Sequence, residues 1–250
     1  MSTCILEAVS LSKKFGGFTA VDDVNLGIQR GHIHALIGPN GAGKTTVFNL
    51  LTKFLEPTAG RITYRQQDIT KLRPAAVARL GMVRSFQISA IFPHLTVLDN
   101  VRVALQRPLG TSYCFWRSNH SIGVLNDRAE ELLTSVGLGD FINAIAADLP
   151  YGRRRALEIA TTLALEPEML LLDEPMSGLG REDISMISDL IARVGESHTV
   201  LMVEHNLSVV AALSRKITVM ARGRMLVEGS FAEVSKSPDV RAAYMGSAHA

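Results

Sequence analysis

Cysteine is nearly absent from this chain: Cys4 and Cys114 are the only two thiols among 250 residues. They stand far apart, with no Cys-x-x-Cys or Cys/His spacing, so neither a disulfide framework nor a cysteine metal site is indicated, and a reduced compartment is expected. Charge of one sign is lacking as well. With 26 basic against 24 acidic side chains and a formal net charge of +2, the totals give no broad field to draw nucleic acid or an anionic membrane. Long apolar runs are missing although 47% of the residues are hydrophobic. Runs such as Met169 to Leu172 fall far short of the roughly 18 residues of a membrane span. Met1 to Glu7 also lack the basic-then-apolar pattern of a signal peptide. The expectation is a cytoplasmic protein of one large domain or two small ones, with any membrane role arising through a partner. Collagen-like and disordered classes are excluded by the same composition.

What is present is ordered punctuation. Short strands are expected at Cys4 to Val9, Ala20 to Ile28, His32 to Ile37 and Arg61 to Tyr64. Gly16-Gly17, Arg30-Gly31 and Pro57-Thr58-Ala59-Gly60 mark the turns. One helix, from near Lys44 to about Leu51, interrupts them. From about Pro74 to Leu165 the pattern turns helical, with Leu125, Ala129, Leu132, Leu133 and Val136 at helix spacing and a stop at Gly137. This stretch reads as a separate helical lobe. After Pro167, strands at Met169 to Leu172 and Thr199 to Val203 alternate with helices at Glu182 to Val194 and Asn206 to Leu213, which indicates a parallel sheet. A hairpin, Thr218 to Met220 and Met225 to Val227, and two short helices around Pro238 close the chain. Gly110 to Gly123 reads as a long loop whose Tyr113, Phe115 and Trp116 pack on the lobe or meet a partner.

Gly38-Pro39-Asn40-Gly41-Ala42-Gly43-Lys44-Thr45-Thr46 matches the P-loop pattern, and it lies between an apolar strand and a helix, as that pattern requires. Glycines let successive N–H groups turn inward toward phosphate oxygens, and the following helix adds its positive end. Lys44 would reach the β- and γ-phosphates, and the Thr45 hydroxyl would ligate Mg²⁺. The acidic partner of such a loop is supplied by Asp173, which ends the buried run Met169-Leu170-Leu171-Leu172. Glu174, one step beyond, is placed where a carboxylate can polarise the attacking water. The GTPase markers Asp-x-x-Gly and Asn-Lys-x-Asp occur nowhere in the chain.

The order of these features, with Gln87 after a strand, Leu149-Pro150-Tyr151-Gly152-Arg153 opening a helix, Asp173-Glu174-Pro175 and then His205, resembles the ATP-binding subunits of ABC transporters. The resemblance runs from Leu6 to about Met245. Within that family the wording is most similar to importers of branched-chain amino acids and related polar organic solutes. Phe15-Gly16-Gly17, Arg84-Ser85-Phe86-Gln87, Leu95 to Val101, Leu149 to Gly152 and Leu157 to Ala160 carry that likeness. It implies an α/β P-loop cassette with a RecA-like core, an antiparallel β subdomain and a helical subdomain. About 1–87 and 166–250 would form the core with the β subdomain, and about 88–165 the helical lobe with the signature loop.

The resemblance also implies roles. Phe15 would stack on adenine, or face the core as a plain phenylalanine. Gln87, with Thr45 and Asp173, would serve Mg²⁺ and would also contact the attacking water. His205 would sense the γ-phosphate, and Glu174 would orient or deprotonate water. Leu149, Pro150, Tyr151, Gly152 and Arg153 stand for the family's Leu-Ser-Gly-Gly-Gln loop, which meets the ATP of the opposite subunit. Pro150 has neither hydroxyl nor backbone N–H, so serine-type contacts are lost there. Arg153 either restores part of that attraction or, with Arg154 and Arg155, forms a solvated basic helix start. Gly180 stands where the family commonly carries an acidic or amide side chain. Phe86, Ile88, Ile91, Phe92 and Leu95 would line a groove for a cytoplasmic helix of the permease, or pack in the core. The implied cofactors are ATP and Mg²⁺. The implied partners are transmembrane permease subunits, an identical or homologous ATPase subunit and, indirectly, a periplasmic or extracellular solute-binding protein, with no nucleic acid. The expected place is the cytoplasmic face of the membrane, reached through the permease subunits. Two alternatives remain open: the ATPase of a lipid or lipopolysaccharide exporter, and a soluble ABC-type switch acting on nucleic acid.

Overall fold

The computed structural model describes residues 4–85, 91–106 and 119–246. Two long strands come first, β1 (Cys4–Phe15) and β2 (Phe18–Gln29), followed by β3 (Ile33–Ile37) and α1 (Lys44–Leu51). Next are β4 (Ala59–Tyr64), β5 (Gln67–Asp68), α2 (Pro74–Arg79) and β6 (Met82–Ser85). Helices α3 (Val97–Leu105), α4 (Asn119–Ser135) and α5 (Tyr151–Leu163) lead to β7 (Met169–Asp173). Then α6 (Arg181–Ser197), β8 (Thr199–Val203), α7 (Leu207–Leu213), β9 (Lys216–Ala221), β10 (Arg224–Gly229), α8 (Phe231–Val234) and α9 (Pro238–Gly246) complete the order.

The strands form two sheets. One has the order β2-β1-β4-β5 and is antiparallel; the other has the order β10-β9-β3-β8-β7-β6. In the second, β9, β3, β8, β7 and β6 run parallel, and only β10 is antiparallel. The central strands β3, β7 and β8 are buried at every residue, which is why they read as unbroken apolar runs rather than as alternation.

The six-stranded sheet separates two apolar clusters. On one face Leu36, Leu171 and Leu201 join the antiparallel sheet and α1 through Phe48, Leu26 and Ile62. On the other, Leu170, Leu172 and Val200 share one cluster with Val101 of α3, Leu133 of α4 and Leu157 of α5. Helices α3, α4 and α5 pack on one another, and α5 carries the group onto β6 and α6.

Strand β6, four residues long, is the strand expected before Gln87, although it falls inside the span whose periodicity reads as helical. Two features differ from the sequence reading. The first strands run on to the Gly16-Gly17 turn instead of stopping at Val9 and starting at Ala20. Register shifts between Ala8 and Leu11, with Ser10 at φ 50°, break the alternation there and hide the continuation. Helix α4 begins at Asn119, inside the span read as loop, while Tyr113, Phe115, Trp116 and Cys114 lie outside the described residues.

Candidate nucleotide site

Strand β3 lies between β9 and β8 and delivers the chain to the loop Gly38 to Gly43 at its C-terminal end. Gly38 has φ 150°, and a Cβ there would stand 2.1 Å from the Met220 carbonyl oxygen, so no other residue fits. Gly43 caps α1 and leaves its first N–H groups without a side-chain acceptor, which suits an incoming anion. Lys44 folds back over this loop, and its Nζ donates to Gly38 O at 2.7 Å and Pro39 O at 2.9 Å. Burial pushes the Lys44 ammonium below its ordinary range, while the nearby Glu174 and Asp173 carboxylates pull it up. Thr45 is exposed and Thr46 half-buried on the same turn.

Asp173 ends β7 with 1% of its surface exposed. Its Oδ2 pairs with Arg84 Nη2 at 2.5 Å, and Arg84 Nη1 donates to Asn49 Oδ1 of α1 at 2.5 Å. Asp173 Oδ1 is buried without a hydrogen-bond partner among the described residues, and a buried carboxylate oxygen in that condition calls for a ligand. Glu174 follows, half-buried, in the left-handed region at φ 46°, its N–H donating to Val203 O at 2.9 Å. His205 is exposed just after β8, and its N–H donates to Glu204 Oε2 at 2.9 Å. Phe15 is 46% exposed at the end of β1, with Lys13 Nζ 5.1 Å from its ring centroid, so the core-facing reading of this ring does not hold. Gln87 lies outside the described residues.

At the start of α5, Leu149 is buried and Pro150 takes the N-cap position. Tyr151 is half exposed, and its hydroxyl donates to Ser177 O at 3.4 Å. A Cβ at Gly152 would stand 2.3 Å from Asp183 Oδ1, so α5 and α6 meet only because that residue is glycine. The three arginines are not a solvated run. The Arg153 guanidinium stacks 4.1 Å from the Phe141 ring centroid, Arg154 Nη2 donates to Leu149 O at 3.1 Å, and Arg155 is buried.

Arg84, Arg155 and Glu204 went unremarked as site residues in the sequence because each acts on a partner distant along the chain. The signal they do carry is a charge at the end of a buried apolar strand or on the buried face of a helix.

Comparison with known proteins agrees with this geometry. Residues 21–177 match the family described as ABC transporter, and residues 224–250 match the family described as branched-chain amino acid ATP-binding cassette transporter. The high-affinity branched-chain amino acid transport ATP-binding protein LivG of Escherichia coli K12 is 39% identical over 99% of this chain and 100% of its own length. BraF of Pseudomonas aeruginosa, which carries the same description, is also 39% identical over 99% of this chain. Among solved structures, an ATP-binding cassette of an ABC transporter in its ADP conformation superposes with a TM-score of 0.85 at 28% identity, over 98% of this chain and 100% of that one. A dimeric post-hydrolysis cassette bound to ADP and phosphate gives 0.74 at 26% identity, over 90% and 98%.

Proposed function

The chain belongs to the ABC transporter ATP-binding family, a family of P-loop ATPases, and from that membership we propose that it powers an importer of branched-chain amino acids or a related polar organic solute. The observation that carries the substrate class is the tail. Residues 224–250, which lie beyond the stretch matched by the general family, match the branched-chain group, and full-length relatives bear that description. The exporter and nucleic-acid readings have no comparable support.

Two copies, or this chain and a homologous ATPase subunit, would enclose ATP between the P-loop of one and the α5 N-terminus of the other. Phe15 would stack on adenine, and the N–H groups of Gly38 to Thr46 would hold the phosphates. Lys44 would leave its carbonyl partners for the β- and γ-phosphates and stabilise the charge that develops there. Glu174 accepts a proton from water as that water attacks the γ-phosphorus; the bond to the β–γ bridging oxygen breaks, and ADP and phosphate leave. His205 and Gln87 would meet the γ-phosphate side. The orphaned Asp173 Oδ1, the exposed Thr45 hydroxyl and the oxygen-donor chemistry of both fit Mg²⁺, which would supply charge neutralisation on the phosphates.

The cross-subunit role of Arg153 follows a different course from a direct phosphate contact, because its guanidinium already lies on Phe141. The Gly152 end of α5 then carries the attraction through backbone N–H groups.

Beside this site lies a cleft of about 560 Å³ lined by Phe54, Pro74, Val83, Phe92, Val103 and Thr162, among others. Phe92 is 51% exposed and Leu95 37%, whereas Ile91 is buried in the core, and Phe86 and Ile88 lie outside the described residues. This cleft is the proposed seat of a permease helix at the cytoplasmic face, with a solute-binding protein acting on the far side of the permease. The test is solute uptake by the chain reconstituted with its co-purifying permeases. Wild type is expected to drive leucine uptake, and Phe92→Asp to lose more than about 90% of it while ATP affinity is kept, since a charge in an apolar seat removes most of a contact. Absence of permeases in the purified material, or full uptake by Phe92→Asp, counts against the assignment.

A further inference from the structure

The turn after β7 is strained and yet held from two sides by buried charges. Glu174 sits at φ 46°, a conformation that a residue with a Cβ keeps only when its surroundings impose it. On the carbonyl side the restraint is Arg155, one turn into α5 and 8% exposed. Its Nε donates to Pro175 O at 3.2 Å, and its Nη2 donates to Asp173 O at 3.2 Å and to Glu174 O at 3.4 Å. Glu158 fixes the guanidinium in turn, accepting from Nη1 at 2.5 Å. Three successive carbonyls therefore converge on one planar fork, a geometry that lysine cannot reproduce.

On the amide side the restraint is Glu204, which has no exposed surface. Its Oε1 accepts from Met176 N at 2.9 Å, and its Oε2 accepts from His205 N at 2.9 Å and Asn206 N at 3.1 Å. A fully buried carboxylate is tolerated because both oxygens are engaged by N–H donors. It ties the turn after β7 to the turn after β8, where His205 resides.

We propose that Arg155 and Glu204 are positioning residues that clamp the Asp173–Met176 backbone from opposite sides and thereby hold the Glu174 carboxylate at the attacking water. This rests on the role of Glu174 given above. Neither residue touches the nucleotide in this account; each acts through the backbone that carries Glu174.

The test uses full-length Arg155→Gln and Glu204→Gln, with ATP turnover, ATP affinity and thermal midpoint measured for each. Turnover is expected to fall at least about tenfold while KM and Kd for ATP stay within about twofold, the pattern of an interaction needed only in the transition state. Arg155→Lys, which keeps one donor for the carbonyls, recovers part of the loss. In a Glu174→Gln background, Arg155→Gln is expected to change the residual rate by less than about twofold, because the group it positions is already disabled. Should Arg155→Gln fail to fold, Arg155→Gln with Glu158→Gln removes both charges together, and Glu204→Gln probes the clamp from the other side. Equal losses in the wild-type and Glu174→Gln backgrounds, or unchanged turnover per folded molecule, overturn the clamp alone. Wild-type turnover by Glu174→Gln overturns the role of Glu174 and the clamp with it.

Discussion

His34 occupies the middle of β3 with 1% of its surface exposed, and its neighbours dictate its protonation. Thr218 Oγ1 donates its single proton to Glu228 Oε2 at 2.8 Å, so His34 Nε2, 2.8 Å from the same oxygen, is the donor of a neutral ring. Burial pushes its pKa down to about 4, against an opposing pull from Glu228; Lys216, which pairs with Glu228, and His32 push it the same way as burial. The unfolded chain takes up this proton near pH 6.5 and the folded chain only near pH 4. Stability from this group is therefore complete above about pH 6.5 and is lost as the pH falls toward 4. Denaturant titrations at pH 7 and pH 4.5 are expected to show a loss on the order of 2 kcal/mol that is absent in His34→Gln. An identical pH slope in that variant would remove His34 as the cause. The acceptor at Thr218 is invisible in the sequence because 184 positions separate it from His34.

Among the elements, α3 shows what local chemistry makes legible. Thr96 caps it by accepting from Asp99 N at 3.0 Å, its hydroxyl also meeting Asp99 Oδ2 at 2.7 Å, and Asn100 returns from the helix to bond Phe92 N at 2.7 Å. This cap holds the segment that carries Phe92 into the cleft. Thr96→Ala is expected to lower stability by about 1 kcal/mol, read as a shift in the denaturant midpoint with unchanged slope. The P-loop was legible for the same reason: Gly38 to Thr46 is one contiguous loop whose glycines and lysine need no distant partner to be recognised. Helix α4 was legible from the stripe Leu125, Ala129, Leu133 and Val136, all of them buried, and from Gly137 at φ 79° beyond its end. The restraints on Asp173 and Glu174 were not legible. Arg84, Arg155 and Glu204 lie 89, 18 and 28 positions from the groups they bond, and only the sheet order β8-β7-β6 with α5 packed above it brings them together.

At the scale of the whole molecule, the parallel strands β3, β8, β7 and β6 bring their C-terminal ends to the same end of the sheet, so the loop after β3, Arg84, Asp173, Glu174 and His205 lie at that end. In the proposed assembly the α5 N-terminus of one copy would meet the nucleotide held by the P-loop of the other, so each copy would supply half of each site. Among the described residues no helix is long and apolar enough to cross a membrane. In the proposed assembly the chain's work on a solute would pass through the cleft lined by Phe54 and Phe92. The near-neutral, cysteine-poor composition did not reveal any of this by itself; it excluded rivals and left the motifs to be read.

ATP turnover by purified Glu174→Gln, with its oligomeric state measured in ATP, tests the central claim most directly. Turnover is expected at least about 100-fold below wild type, the scale of a lost general base, with an ATP-bound dimer that persists. Turnover equal to wild type, from a chain that stays monomeric in ATP, would contradict that claim.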